Sequence, residues 1–237
     1  MSHGTLRICY GGTFDPVHNG HLAIARAARD RMRADVALLP AHDPPHKAAT
    51  SADAGQRAAM LALAVDGEAG LSVDRRELAR SGPSYTVDTL AELRGELGER
   101  APIAWLIGAD SLLQLDTWHD WRRLFALAHL VVVQRSGADI DADRLRAQAP
   151  RVQAEVAARW QSADALHASA SGGIALLPLP GLRPESSTAL RRRIAAGEPW
   201  RDWVPPAVAA YIDRHGLYRD PAAILPPNSP PPAEPRP

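Results

Sequence analysis

Six short apolar runs constrain most strongly what this chain can fold into. Leu6 to Tyr10, Val36 to Leu39, Leu71 to Val73, Ile103 to Ile107, Leu130 to Val133 and Ile174 to Leu177 each read as a strand. Between them the apolar residues recur at helical spacing. Gly20 to Met32 carries Leu22, Ile24, Ala25 and Ala28, Gln56 to Val65 is apolar enough for a buried helix, and Thr86 to Leu97 aligns Val87, Leu90, Leu93 and Leu97. Strands alternating with helices predict an α/β fold: a doubly wound parallel sheet with helices on both faces. Ile140 to His167 reads as helical apart from Pro150, and Ala168 to Gly173 as a small-residue loop. Two C-terminal helices follow, Thr188 to Ala196 and Pro206 to His215, the second stopped by Gly216. One domain is expected over residues 1–219. Residues 220–237 hold eight prolines in eighteen positions and are expected to form a disordered or polyproline-like tail.

Composition narrows the function classes. The 27 Lys and Arg residues balance the 27 Asp and Glu residues in a chain of 237. A protein living on nucleic acid or anionic lipid usually shows a basic excess, so neither partner is expected and any bound anion should be small and locally held. The single cysteine, Cys9, excludes an intrachain disulfide framework and thiolate zinc clusters. Met1 to Gly12 has no apolar core typical of a secretory signal, and no apolar run reaches the ~18 residues of a membrane span. A cytoplasmic protein, monomeric or a small homo-oligomer, is the expectation.

The most informative segment is Gly11-Gly12-Thr13-Phe14-Asp15-Pro16-Val17-His18-Asn19-Gly20-His21-Leu22, which follows a strand and opens a helix. In open α/β sheets ligands bind at such junctions. Gly11 and Gly12 allow close backbone approach, Pro16 stiffens the loop, and Asn19 is a fair N-cap. His18 and His21 flank the helix start, where free N–H groups and the macrodipole favour an anion. The segment fits neither the dinucleotide fingerprint nor a Walker loop, and its histidine spacing is three, not the four of a zinc helix. A second candidate anion site is Ser186-Ser187-Thr188, at the start of another helix with Arg191 one turn inside it. A third is Pro83-Ser84-Tyr85-Thr86, opening the Thr86 helix. Pro40 to Thr50 is a proline-rich polar loop carrying His42, His46 and Lys47.

His18-Asn19-Gly20-His21 resembles the H-x-G-H signature of the nucleotidyltransferase superfamily. Further stretches resemble one member family, the bacterial nicotinate-nucleotide adenylyltransferases: Asp43-Pro44-Pro45-His46-Lys47, Gly82 to Leu90, Ile107 to Leu112 with Trp118-His119-Asp120-Trp121, and Glu185 to Arg191. The likeness runs from Gly11 to about Tyr218, with Glu185 standing where the family carries Ile. It implies a Rossmann-like nucleotidyltransferase fold with C-terminal helices. It implies adenylyl transfer from ATP to nicotinate mononucleotide, giving nicotinate adenine dinucleotide and pyrophosphate, a step of NAD biosynthesis. His18, His21, Lys47 and Arg191 would carry catalysis. ATP would lie on Gly11, Gly12, Thr13, Phe14, His18, His21, Gly108, Asp110, Arg135, Ser186, Ser187, Thr188 and Arg191. Nicotinate mononucleotide would lie on His46, Lys47, Ser84, Tyr85, Thr86 and Trp118, with Trp118 as the ring stacker and Trp121 in the core. Mg2+ would ride on the ATP phosphates, with no dedicated protein metal site. The alternatives are another H-x-G-H transferase, such as one acting on phosphopantetheine, and a non-catalytic nucleotide-binding protein.

Overall fold

The computed structural model describes residues 5–42, 51–80, 82–134, 140–179, 181 and 184–220. Its sheet has six strands: β1 (Arg7–Gly12), β2 (Asp35–Pro40), β3 (Leu71–Val73), β4 (Ile103–Gly108), β5 (His129–Gln134) and β6 (Ile174–Pro178). They lie in the order β3-β2-β1-β4-β5-β6, and every pairing is parallel. This is the doubly wound arrangement expected from the alternation of strands and helices.

The period-2 alternation of strand side chains divides them between two cores. Ile8, Val36, Leu38, Ala104, Leu106, Val131 and Val133 face one core. Cys9, Ala37, Leu39, Ile103, Trp105, Ile107, Leu130 and Val132 face the other. Both faces are covered, which is why the strands read as unbroken apolar runs rather than as alternating ones. The first core is closed by α1 (Asn19–Met32), α2 (Ala54–Val65), and, after the other helices, α8 (Ser187–Ala195) and α9 (Pro206–His215). The second is closed by α3 (Thr86–Leu97), α4 (Ala109–Leu113), α5 (Leu124–Leu127), α6 (Ala142–Gln148) and α7 (Pro150–Val156).

Several local expectations are corrected. His18, not Asn19, is the N-cap of α1, and Asn19 donates from its side chain to the Asp202 carbonyl at 2.8 Å. Ile140 to His167 is two helices meeting at Pro150, then a 3-10 turn at Asp164–Ala168, because proline suits only the first turn of a helix. Short helical turns at Arg76–Ala79, Leu115–Thr117 and Trp121–Arg123 were too brief to leave a periodic signal. Trp121 is in the second core, as expected. Among the described residues, no helix is long and apolar enough to cross a membrane. Residues 221–237 of the expected tail lie outside the described residues.

The strand order reverses between β1 and β4. Consequently α1 packs on one face and α4 on the other, and a crevice opens beyond the strands' C-terminal ends. β1 pairs with β4 only from Arg7 to Cys9, so the glycine pair of β1 lies where that pairing has ended. On its other side, Gly11 pairs with Leu39 and Gly12 with Pro40, which sets the loop after β1 beside the end of β2.

Candidate active site

The loop after β1 is built by packing before any ligand is considered. A Cβ on Gly11 would lie 2.3 Å from the Trp105 indole of β4, so the residue must be glycine for that ring to fit. Phe14 takes a left-handed φ of 50°, an uncommon conformation for an aromatic residue, and its ring is buried beneath the loop. There it meets the His21 ring edge-on, with centroids 5.0 Å apart. The Asp15–Pro16 peptide is cis.

His18 and His21 stack, with ring centroids 3.7 Å apart and 29° between planes. Gly20 makes this possible: a Cβ there would come within 3.0 Å of His18 Nδ1. The His18 backbone N–H donates to His21 Nδ1 at 3.2 Å. A nitrogen that accepts carries no proton, so the His21 ring proton sits on Nε2, leaving that nitrogen as the donor. His18 is buried and His21 half-buried.

The second candidate anion site docks onto the first. Ser186 caps α8 by accepting from the Ala189 N–H at 3.2 Å, and Ser187 donates from Oγ to the Pro16 carbonyl at 3.0 Å. Arg191 Nη1 donates to the Asp15 carbonyl at 2.6 Å and lies 3.8 Å from its carboxylate. Arg191 thereby ties α8 to the loop after β1. Thr188 is exposed beside this junction. Glu185 is buried, and its carbonyl faces Gly20. Arg193 is half-buried with its guanidinium 4.3 Å from the centre of the Trp203 ring.

Three further residues hold the loop from behind, and sequence reading missed them all. The buried Asp15 carboxylate accepts from the Ser51 and Ala52 N–H groups at 2.8 and 3.2 Å and from the Tyr218 hydroxyl at 2.7 Å. Burial and the Asp15 charge push the Tyr218 phenol up, so it stays a proton donor. Arg57 of α2 is fully buried and donates to the Thr13 and His42 carbonyls. The third, Tyr218, sits at the far end of the fold, where no local pattern connects it to residue 15.

The third candidate anion site is the start of α3. Tyr85 is the N-cap and supplies no side-chain bond, so the first-turn amides are not capped from within. Ser84 accepts from the His42 N–H at 3.1 Å. Beneath the turn, the buried Glu77 accepts from the Thr89 hydroxyl at 2.8 Å, and burial pushes its carboxyl up. His119 stacks on Tyr85 with centroids 4.5 Å apart, while Trp118 is half-buried against the second core alongside Tyr85. Across the crevice Gly108 is the N-cap of α4, and Asp110 sits exposed in its first turn rather than capping it. His46, Lys47 and Arg135 lie outside the described residues. Among the described residues no three His, Cys, Asp or Glu side chains converge to hold a metal. Burial pushes the Cys9 thiol to about 12, which leaves it a packing group rather than a nucleophile.

A strand-loop-helix junction at the reversal point of a parallel sheet, carrying two stacked histidines, stands where open α/β sheets place their ligands. The chain belongs to the cytidylyltransferase-like family, whose model matches residues 9–193. It is 55% identical over 227 residues to a Stenotrophomonas maltophilia protein named "Probable nicotinate-nucleotide adenylyltransferase", covering 92% of this chain and 98% of that one. A Laribacter hongkongensis protein of the same name is 49% identical over 211 residues, covering 89% of this chain and 93% of that one. The fold is similar to that of Plasmodium falciparum nicotinic acid mononucleotide adenylyltransferase complexed with NaAD. That match has a TM-score of 0.68 and 16% identity, covering 90% of this chain and 97% of the other.

Proposed function

We propose that the protein transfers the adenylyl group of ATP to nicotinate mononucleotide, producing nicotinate adenine dinucleotide and pyrophosphate. One observation carries this reading: the stacked His18–His21 pair at the start of α1 and the Ser186–Arg191 start of α8 converge on one loop. Two helix starts and two imidazoles around a single loop suit a polyphosphate. The names of the relatives, at 55% and 49% identity, agree with it.

In the reaction, a phosphate oxygen of the acceptor attacks the α-phosphorus of ATP. The bond from that phosphorus to the bridging oxygen breaks, and pyrophosphate departs with the electron pair. The second pKa of a phosphomonoester is about 6, so the nucleophile is already an anion at neutral pH and needs no general base. The barrier is repulsion between two polyanions and the charge developing on the leaving group. Catalysis is therefore positioning and charge neutralisation. His18 aligns the phosphates, and His21 Nε2–H stabilises the transition state at the α-phosphate. Arg191 and Lys47 add positive charge. Gly11, Gly12, Thr13 and Phe14 line the triphosphate, Gly108 and Asp110 meet the adenosine ribose, and Arg135 lines the adenine pocket. Ser84, Tyr85 and Thr86 take the nicotinate, with Trp118 against its ring and His46 near its phosphate. Both Asp15 oxygens are engaged by the protein itself. The loop thus offers donors rather than spare carboxylates, which fits a Mg2+ ion that arrives on the ATP phosphates and neutralises part of their charge.

The test is to supply ATP, Mg2+ and either pyridine mononucleotide to the purified protein and identify the products. Nicotinate adenine dinucleotide and pyrophosphate are expected. Release of pyrophosphate only with a non-pyridine acceptor such as phosphopantetheine would replace this substrate, and absence of turnover with any acceptor would remove the activity.

A further inference from the structure

Arg57 lies on α2, which supplies none of the residues assigned to substrate, and its side chain is 0% exposed. Burial holds its pKa below the usual arginine range, with the nearby Asp15 carboxylate working against that shift. A guanidinium is a costly group to bury, and the two hydrogen bonds of this one go to two separate segments. Nη1 donates to the Thr13 carbonyl at 2.7 Å, in the loop after β1. Nη2 donates to the His42 carbonyl at 3.1 Å, just past the end of β2. The His42 N–H in turn donates to Ser84 Oγ at 3.1 Å, in the turn that opens α3. One side chain and one intervening residue therefore connect the triphosphate loop to the acceptor turn.

We propose that Arg57 is a positioning residue for adenylyl transfer, holding the triphosphate loop and the acceptor turn in register through His42 without touching either substrate. The inference rests on the site reading given above. Two physical arguments favour it over simple packing. A trans peptide keeps its C=O and N–H antiparallel, so fixing the Thr13 carbonyl on the Arg57 side turns the Phe14 N–H to the opposite side. The planar fork also holds two acceptors at a set separation, which a single ammonium cannot do. In-line transfer between two bound phosphates is sensitive to that separation, since a misplacement of ~1 Å can cost about 100-fold in rate.

Arg57→Lys tests this because it keeps the charge beside Asp15 and removes the fork. Relative to wild type, kcat should fall roughly 10- to 100-fold, while the Kd of each substrate measured alone shifts less than about threefold. Hydrogen exchange in the ligand-free protein supplies a readout independent of turnover: segments 11–16 and 84–86 should both exchange faster. Ser84→Ala cuts the same chain of bonds from its other end, and it should speed exchange in segment 11–16 even if Arg57→Lys fails to fold. A wild-type kcat in Arg57→Lys, or unchanged exchange in segment 11–16 of Ser84→Ala, would overturn the proposal. Wild-type protein that makes no dinucleotide would instead remove the functional reading and leave the exchange experiment to decide the coupling.

Discussion

At the scale of single residues, the site is a set of side chains whose positions are dictated by neighbours that do no chemistry. The His21 ring is oriented by the His18 N–H, flanked by the His18 ring and met edge-on by Phe14. Those contacts fix which ring nitrogen accepts and which is left to donate, at the expense of a left-handed backbone at Phe14. Removing a donor aimed at developing charge typically costs about 100- to 1,000-fold in rate. His21→Ala is expected to lose turnover on that scale while its circular dichroism and urea midpoint stay near wild type. Near-normal turnover would take His21 out of the chemistry.

At the scale of elements, the proposed selection rests on helix starts. The first turn of α3 has no side-chain cap, and its amides suit a carboxylate better than a carboxamide. The amide is the weaker acceptor, and its NH2 brings donors to a place that already holds donors. A strong preference in kcat/KM for the acid over the amide mononucleotide is expected, and parity between the two would mean that α3 does not read the carboxylate. Elsewhere, β5 illustrates a purely structural use of a titratable group. His129 is buried, accepts from the Gly173 N–H at 3.0 Å and meets the Ser169 carbonyl at 2.9 Å, which fixes it as neutral with its proton on Nε2. Burial lowers its pKa below the ordinary imidazole range, so the unfolded chain binds the extra proton first as pH drops. Stability from this group is therefore complete above about pH 6.5 and declines below it. In urea titrations, His129→Gln should be less stable at neutral pH yet lose less on going from pH 6.5 to 5 than wild type does. Equal losses in the two proteins would show that His129 does not set this dependence.

At the scale of the whole molecule, the chain closes on itself at the phosphate loop. Asp15, near the start of the fold, accepts from Tyr218, near the last described residue, and Tyr218 adopts a left-handed φ of 64° there. Tyr218→Phe should cost roughly 1–3 kcal/mol in urea unfolding, because it leaves a buried carboxylate oxygen short of one donor. A loss near zero would mean that water or a shifted backbone replaces the hydroxyl.

The amino-acid sequence by itself determined the parallel α/β class, the strand-loop-helix junction and the candidate ligand-facing residues. These are local quantities: apolar periodicity, glycine and proline punctuation, and hydroxyl or histidine residues at helix starts. The tertiary structure alone decided how those parts are held. Arg57 stands near the start of a run read only as a buried apolar helix, and nothing marks it until it is seen inside, bonded to carbonyls at positions 13 and 42. Gly11 is explained by Trp105 from another strand, and Asp15 by a tyrosine 203 positions away. A buried polar group is satisfied by whichever partner the fold brings to it, and that partner's place along the chain leaves no periodic trace.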